Sequence, residues 1–142
     1  MISTSHFHPM LVHFPIALVT VGFFAELLSM YVKKEVCFSK LGFYLLLAGT
    51  ISAIFALLSG LIFTDEMSGA AHDVLELHEL FAFTTLGLLL VTSIIRTYLV
   101  IKKEEHKTLM KIAFILYALA AISVGGTGFF GGTLVFNYMM PL

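Results

Sequence analysis

Residues 41–63 read LGFYLLLAGTISAIFALLSGLIF, an apolar run without a single charge. Crossing hydrocarbon about 30 Å thick takes roughly 20 such residues at about 1.5 Å each, so this stretch predicts a transmembrane helix. Working outward, three more runs qualify: from about Met10 to Val32, from Leu77 to Ile101 and from Leu109 to about Phe136. Short joining segments make successive helices antiparallel neighbours. The expected fold is all-α, an integral membrane four-helix bundle. Residues 1–142 form one domain, with helices at about 10–32, 41–63, 77–101 and 109–136. Composition agrees: 59% of the 142 residues are hydrophobic and 12% charged, against about 45–50% and about 25% in soluble domains. No repeat at a fixed period is expected. The first run has no Lys or Arg before Lys33 and no clear small-residue cleavage site, so it reads as a retained helix rather than a signal peptide.

The basic residues set the expected orientation. All eight are Lys33, Lys34, Lys40, Arg96, Lys102, Lys103, Lys107 and Lys111, and every one flanks the first-to-second or the third-to-fourth connection. The positive-inside rule puts those two connections in the cytoplasm. Both termini and the connection carrying Asp65, Glu66, Asp73 and Glu76 then face outward. The localisation this implies is the bacterial inner membrane, with periplasmic termini and lipid as solvent.

Five of the six histidines fall on that outward side: His6, His8 and His13 at the first helix, His72 and His78 at the third. His106 belongs to a basic loop and needs no role beyond solvation. Imidazole in hydrocarbon is costly unless paired, which makes the others functional candidates; the simpler account is hydrogen bonding at the interface. His8 and His13 stand about 140° apart around a helix, and His72 and His78 about 240°. Neither pair matches the i, i+4 chelate of a helical zinc site. Ligation across helices is the remaining geometry, and His13 and His78 each enter their helices by roughly one turn. Two imidazoles from facing helices are the usual axial pair of a b-type haem in a bundle.

Other residues admit two readings each. Gly49, Ala53, Ala56 and Gly60 form a small-residue stripe, as do Ala121, Gly125, Gly128 and Gly132; the third helix aligns Ala82, Thr85, Leu89 and Thr92. Such stripes primarily mean close helix packing, and secondarily room for a cofactor. Pro9 suits a first helical turn. Pro15 means either that the helix begins there or that it is kinked there. Asp65 is a candidate acceptor for the spare proton of a ligating imidazole, or a solvated loop carboxylate. Glu26 lies within the first helix, where it needs a basic partner or a proton or quinone role. The lone Cys37 excludes an internal disulfide, and no C-x-x-C-H offers covalent haem attachment.

The opening His8-Pro9-Met10-Leu11-Val12-His13-Phe14-Pro15-Ile16-Ala17-Leu18 resembles the H-P-x-x-V-H-F-P-I-A-L motif of a bacterial membrane family catalogued as domain of unknown function twenty-two thirty-one. Gly60 with Asp65, His78, and Gly131-Gly132-Thr133-Leu134-Val135-Phe136 agree with its later segments. The chain departs after Phe136, where Asn137-Tyr138 stand in place of a His-Gly. The resemblance implies four helices and an accessory electron-transfer role.

Three functions therefore stand open. The first is a haem-b electron carrier with His13 and His78 as axial ligands, His8 and His72 near the propionates or a second haem, and a periplasmic cytochrome or quinone as partner. The second is a copper or zinc site from His8, His13, His72, His78 and Asp65, with Met10 and Met67 available to copper(I). The third is a non-catalytic assembly subunit of a membrane complex; the stripes also allow a homo-oligomer. No nucleophile–base pair, phosphate loop or nucleic-acid patch is present to support hydrolysis, transfer or nucleic-acid binding.

Overall fold

The computed structural model describes residues 7–32, 36–64, 67–103 and 106–138; His6, Lys33, Lys34, Asp65 and Glu66 lie outside them. Four helices make up the described chain: α1 (Phe7–Tyr31), α2 (Val36–Phe63), α3 (Ala70–Lys102) and α4 (Lys107–Tyr138). All four are long and apolar enough to cross a membrane. Their outer faces carry Phe55, Ile62, Ile94, Ile122 and Phe129, all exposed, which suits lipid as the surrounding solvent.

The helices extend past the apolar runs. Hydropathy finds only the part that crosses hydrocarbon, whereas α3 starts at Ala70 rather than Leu77. Its extra turns hold Ala71, His72, Asp73 and Glu76, and an acidic residue in the first turn favours a helix N-terminus. At its other end Lys103 takes the left-handed conformation, φ 53°, that closes many helices. Helix α1 begins at Phe7 and runs on through a buried Pro15, so Pro15 does not start it. Pro9 falls in the first turn, where its missing N–H costs nothing.

Contacts are dense between α1 and α2 and between α3 and α4, and thinner between the two hairpins. Along α1, His8 meets Gly60, Val19 meets Gly49 and Glu26 meets Gly42, so partners descend α2 as α1 ascends. Along α3, His78 meets Gly131, Thr85 meets Ser123 and Arg96 meets Met110. Lipid supplies no hydrophobic drive between helices, and small side chains and hydroxyl pairs take over. An added Cβ at Gly49 would stand 2.9 Å from Val19 Cγ2. Thr50 and Ser93 bridge α2 to α3 at 2.8 Å, and Thr85 donates to Ser123 at 2.8 Å. The α2 stripe does pack inward, but Gly125 of the expected α4 stripe faces outward with nothing near it. Helix α4 instead buries Ala113, Tyr117, Ala120 and Val124.

The two hairpins repeat one plan. Glu26 and Arg96, buried partners, stand 70 residues apart. Val19 and Leu89, both without exposed surface, share that spacing, as do His8 and His78. One residue further apart, Gly42 and Ala113, Leu46 and Tyr117, Gly49 and Ala120, and Ala53 and Val124 are all buried. The offset shifts from 70 to 71 residues between the two sets, so the chain still shows no sequence repeat at a fixed period. What repeats is the burial pattern, not residue identity, which lipid-facing positions leave free to drift.

Candidate functional site

At one end of the bundle lies a cavity of about 350 Å³ lined by all four helices. Three of its lining residues are histidines, His8, His13 and His78. The first turn of α1 delivers His8 to α2. There its ring lies against Gly60, where an added Cβ would come within 3.0 Å of His8 Cε1. The third turn of α3 delivers His78 to α4 against Gly131, where the same distance is 3.1 Å. The two rings face each other across the hairpins, centroids 6.2 Å apart and planes at 89°.

Hydrogen bonding fixes the tautomers. Ser59 spends its own proton on the Ala56 carbonyl at 2.7 Å, leaving Oγ only lone pairs. His8 Nδ1, 2.9 Å from that oxygen and 3.2 Å from the Ala56 carbonyl, must therefore carry the hydrogen and donate. His78 Nδ1–H donates to the Thr127 carbonyl at 3.0 Å, and His13 Nδ1–H donates to the Pro9 carbonyl. A carbonyl can only accept, so in the neutral form of each of the three imidazoles it is Nε2 that carries the lone pair. None of the three Nε2 atoms has a hydrogen-bond partner among the described residues. Holding Nδ1–H on a main-chain oxygen is how proteins aim the other nitrogen at a metal.

The sequence-derived candidates are thus only partly gathered. His8 and His78 come together; His13 lines the same cavity from an exposed position. His72 is exposed and pairs with Glu76 one turn on, at 3.4 Å, away from the cavity. Asp65 lies outside the described residues. Among the described residues no three His, Cys, Asp or Glu side chains cluster closely enough to hold a bare metal ion. The remaining wall is mostly apolar, with Ala53, Ala56, Gly128 and Gly132 set among larger side chains such as Ile16 and Phe83, while Thr64, Glu79 and Thr85 add polar atoms.

A second polar group occupies the opposite end. Glu26 Oε2 and Arg96 Nη2 lie 3.1 Å apart, both side chains buried, which supplies the basic partner expected of Glu26. Arg96 also donates to Met110 Sδ at 3.0 Å and to Ser39 Oγ at 3.4 Å. Beside them the buried Tyr117 hydroxyl rests against Gly22 and has no hydrogen-bond partner among the described residues. Ser59, Thr127, Arg96 and Tyr117 were not singled out from sequence as parts of a site. The near-equal spacings of His8 with His78, 70 residues, and of Gly60 with Gly131, 71 residues, were the signal that could have found the first two.

A family model described as a predicted membrane protein, DUF2231, matches residues 4–141, and the chain belongs to that family. No curated protein and no solved structure matches the chain.

Proposed function

We propose that this member of a membrane family without assigned function binds a haem b at the histidine cavity and carries electrons. His8 and His78 would be the axial ligands, and His13 would stand at the rim. The observation that carries the reading is the set of Nε2 lone pairs, each oriented by an Nδ1–H bond to a main-chain carbonyl. Metal–nitrogen bonds of about 2.0–2.1 Å place two imidazole centroids roughly 6 Å apart across one ion, and these rings are 6.2 Å apart. A tetrapyrrole brings four ligands of its own, so two protein imidazoles suffice where a bare ion would want more. The volume falls within the range of about 300–1,000 Å³ typical of ligand sites, and small side chains on α2 and α4 leave room beside it. When bound, the group would supply one-electron chemistry. The chain's own residues would hold it, exclude water and keep both imidazoles neutral.

The positive-inside rule supports a cavity that opens on the periplasmic side of the inner membrane, and a periplasmic cytochrome or a quinone would then be the redox partner. An absorption spectrum of the detergent-purified protein tests the reading. The wild type shows a Soret band that moves on reduction; His8→Ala and His78→Ala lose it while staying helical and monodisperse, and His13→Ala keeps it. Loss in His13→Ala with retention in His8→Ala overturns this pairing in favour of His13 with His78. A colourless wild type after haemin loading overturns the haem reading altogether, and stoichiometric copper or zinc in that preparation would replace it with a transition-metal site.

A further inference from the structure

The repeated hairpins give the two imidazoles nearly identical settings. Each rests on a glycine, Gly60 or Gly131, and each donates Nδ1–H to the carbonyl one turn before that glycine, at Ala56 or Thr127. They differ in the acceptors open to Nδ1–H. Ser59 Oγ is a second acceptor for His8 Nδ1–H. The matching position of the other hairpin is Phe130, whose ring packs on Phe81 with centroids 5.4 Å apart. Ser59 is itself buried and its proton is committed to the Ala56 carbonyl, so it cannot turn to donate elsewhere without breaking that bond.

We propose that Ser59 is a positioning residue that makes His8 the stronger of the two axial ligands and so lowers the reduction potential of the site. The proposal rests on the haem reading above. A second acceptor on Nδ1–H increases the electron donation of Nε2, and greater donation favours the ferric over the ferrous metal. His78, with one carbonyl acceptor, lacks that reinforcement.

The experiment is a redox titration of the full-length protein loaded with haem, comparing wild type, Ser59→Ala and Ser59→Thr. Ser59→Ala is expected to lower the ratio of ferric to ferrous affinity up to about tenfold, the lower end of typical second-neighbour effects. That is a rise in midpoint potential of up to about 59 mV for one electron. Ser59→Thr, which keeps the hydroxyl, returns the potential to that of the wild type. An unchanged potential in Ser59→Ala with haem retained overturns the proposal and leaves the haem reading standing. A wild type that takes up no haem overturns the haem reading and this proposal with it. Should Ser59→Ala lose its haem, nitrogen-15 shifts of the haem-free protein decide. His8 Nδ1 moves toward a weaker hydrogen bond while His78 Nδ1 stays in place, and identical His8 shifts in variant and wild type overturn the proposal.

Discussion

Single atoms decide most of what distinguishes the two ends of this bundle. At the histidine end His8, His13 and His78 each donate Nδ1–H to a carbonyl, whereas at the other end the Tyr117 hydroxyl is buried with no partner among the described residues. A buried donor left unpaired costs about 1–3 kcal/mol, and the hydroxyl also crowds Gly22, where an added side chain would collide with it. Tyr117→Phe removes the unpaired group and keeps the ring contact with Phe23, whose centroid lies 5.9 Å away. The variant is expected to be as stable as the wild type or more stable by about 1 kcal/mol, measured by unfolding in mixed micelles. A loss of stability would show that the hydroxyl has a partner, such as an ordered water shared with Glu26. Sequence pattern could not separate these cases. It identified the histidines and Glu26 because polar residues stand out in apolar runs, but a hydroxyl on a ring, or Ser59 among other small residues, does not.

Between helices, the diagonal pair α1 and α3 is joined by polar contacts at both ends, His8 with His78 and Glu26 with Arg96. Positions 26 and 96 occupy matching places in the repeated hairpins, so their side chains approach the same midline from opposite sides. Removing one partner of a buried pair leaves the other charge uncompensated, at about 3–5 kcal/mol. Glu26→Gln and Arg96→Gln are each expected to destabilise the bundle strongly. The exchange Glu26→Arg with Arg96→Glu should recover most of that loss, because the repeat offers each side chain a comparable setting. Recovery stays incomplete on two counts: Gly42 accommodates the Glu26 carboxylate, an added Cβ there standing 2.8 Å from Oε2, and Met110 accepts from Arg96. A double-mutant cycle in the same micelles gives the coupling, and an exchange no better than either single change would refute the matched settings. Helix number and apolar spans were legible in advance, since length and hydropathy suffice for them. The register between hairpins was not: it depends on which small residue meets which large one, a property of pairs that no single run displays.

Across the whole molecule, charge is segregated as strongly as apolar surface. Among the described residues Lys40, Lys102, Lys103, Lys107 and Lys111 gather at the end opposite His8 and His78. If that lysine-bearing end is cytoplasmic, the histidine cavity opens outward, which the proposed periplasmic partner requires. Cys37 provides a direct reading of this, being the single cysteine of the chain and exposed at the start of α2 on the lysine side. A membrane-impermeant maleimide applied to intact spheroplasts is expected to leave Cys37 unmodified, and to label it in inverted membrane vesicles or after detergent. Cysteine placed at exposed Asn137, in a Cys37→Ser background, should show the opposite pattern, because α4 ends on the histidine side. Labelling of Cys37 in intact spheroplasts would reverse the orientation. The cavity would then face the cytoplasm, and a quinone or cytoplasmic donor would have to replace the periplasmic cytochrome, even though every distance within the bundle stayed the same.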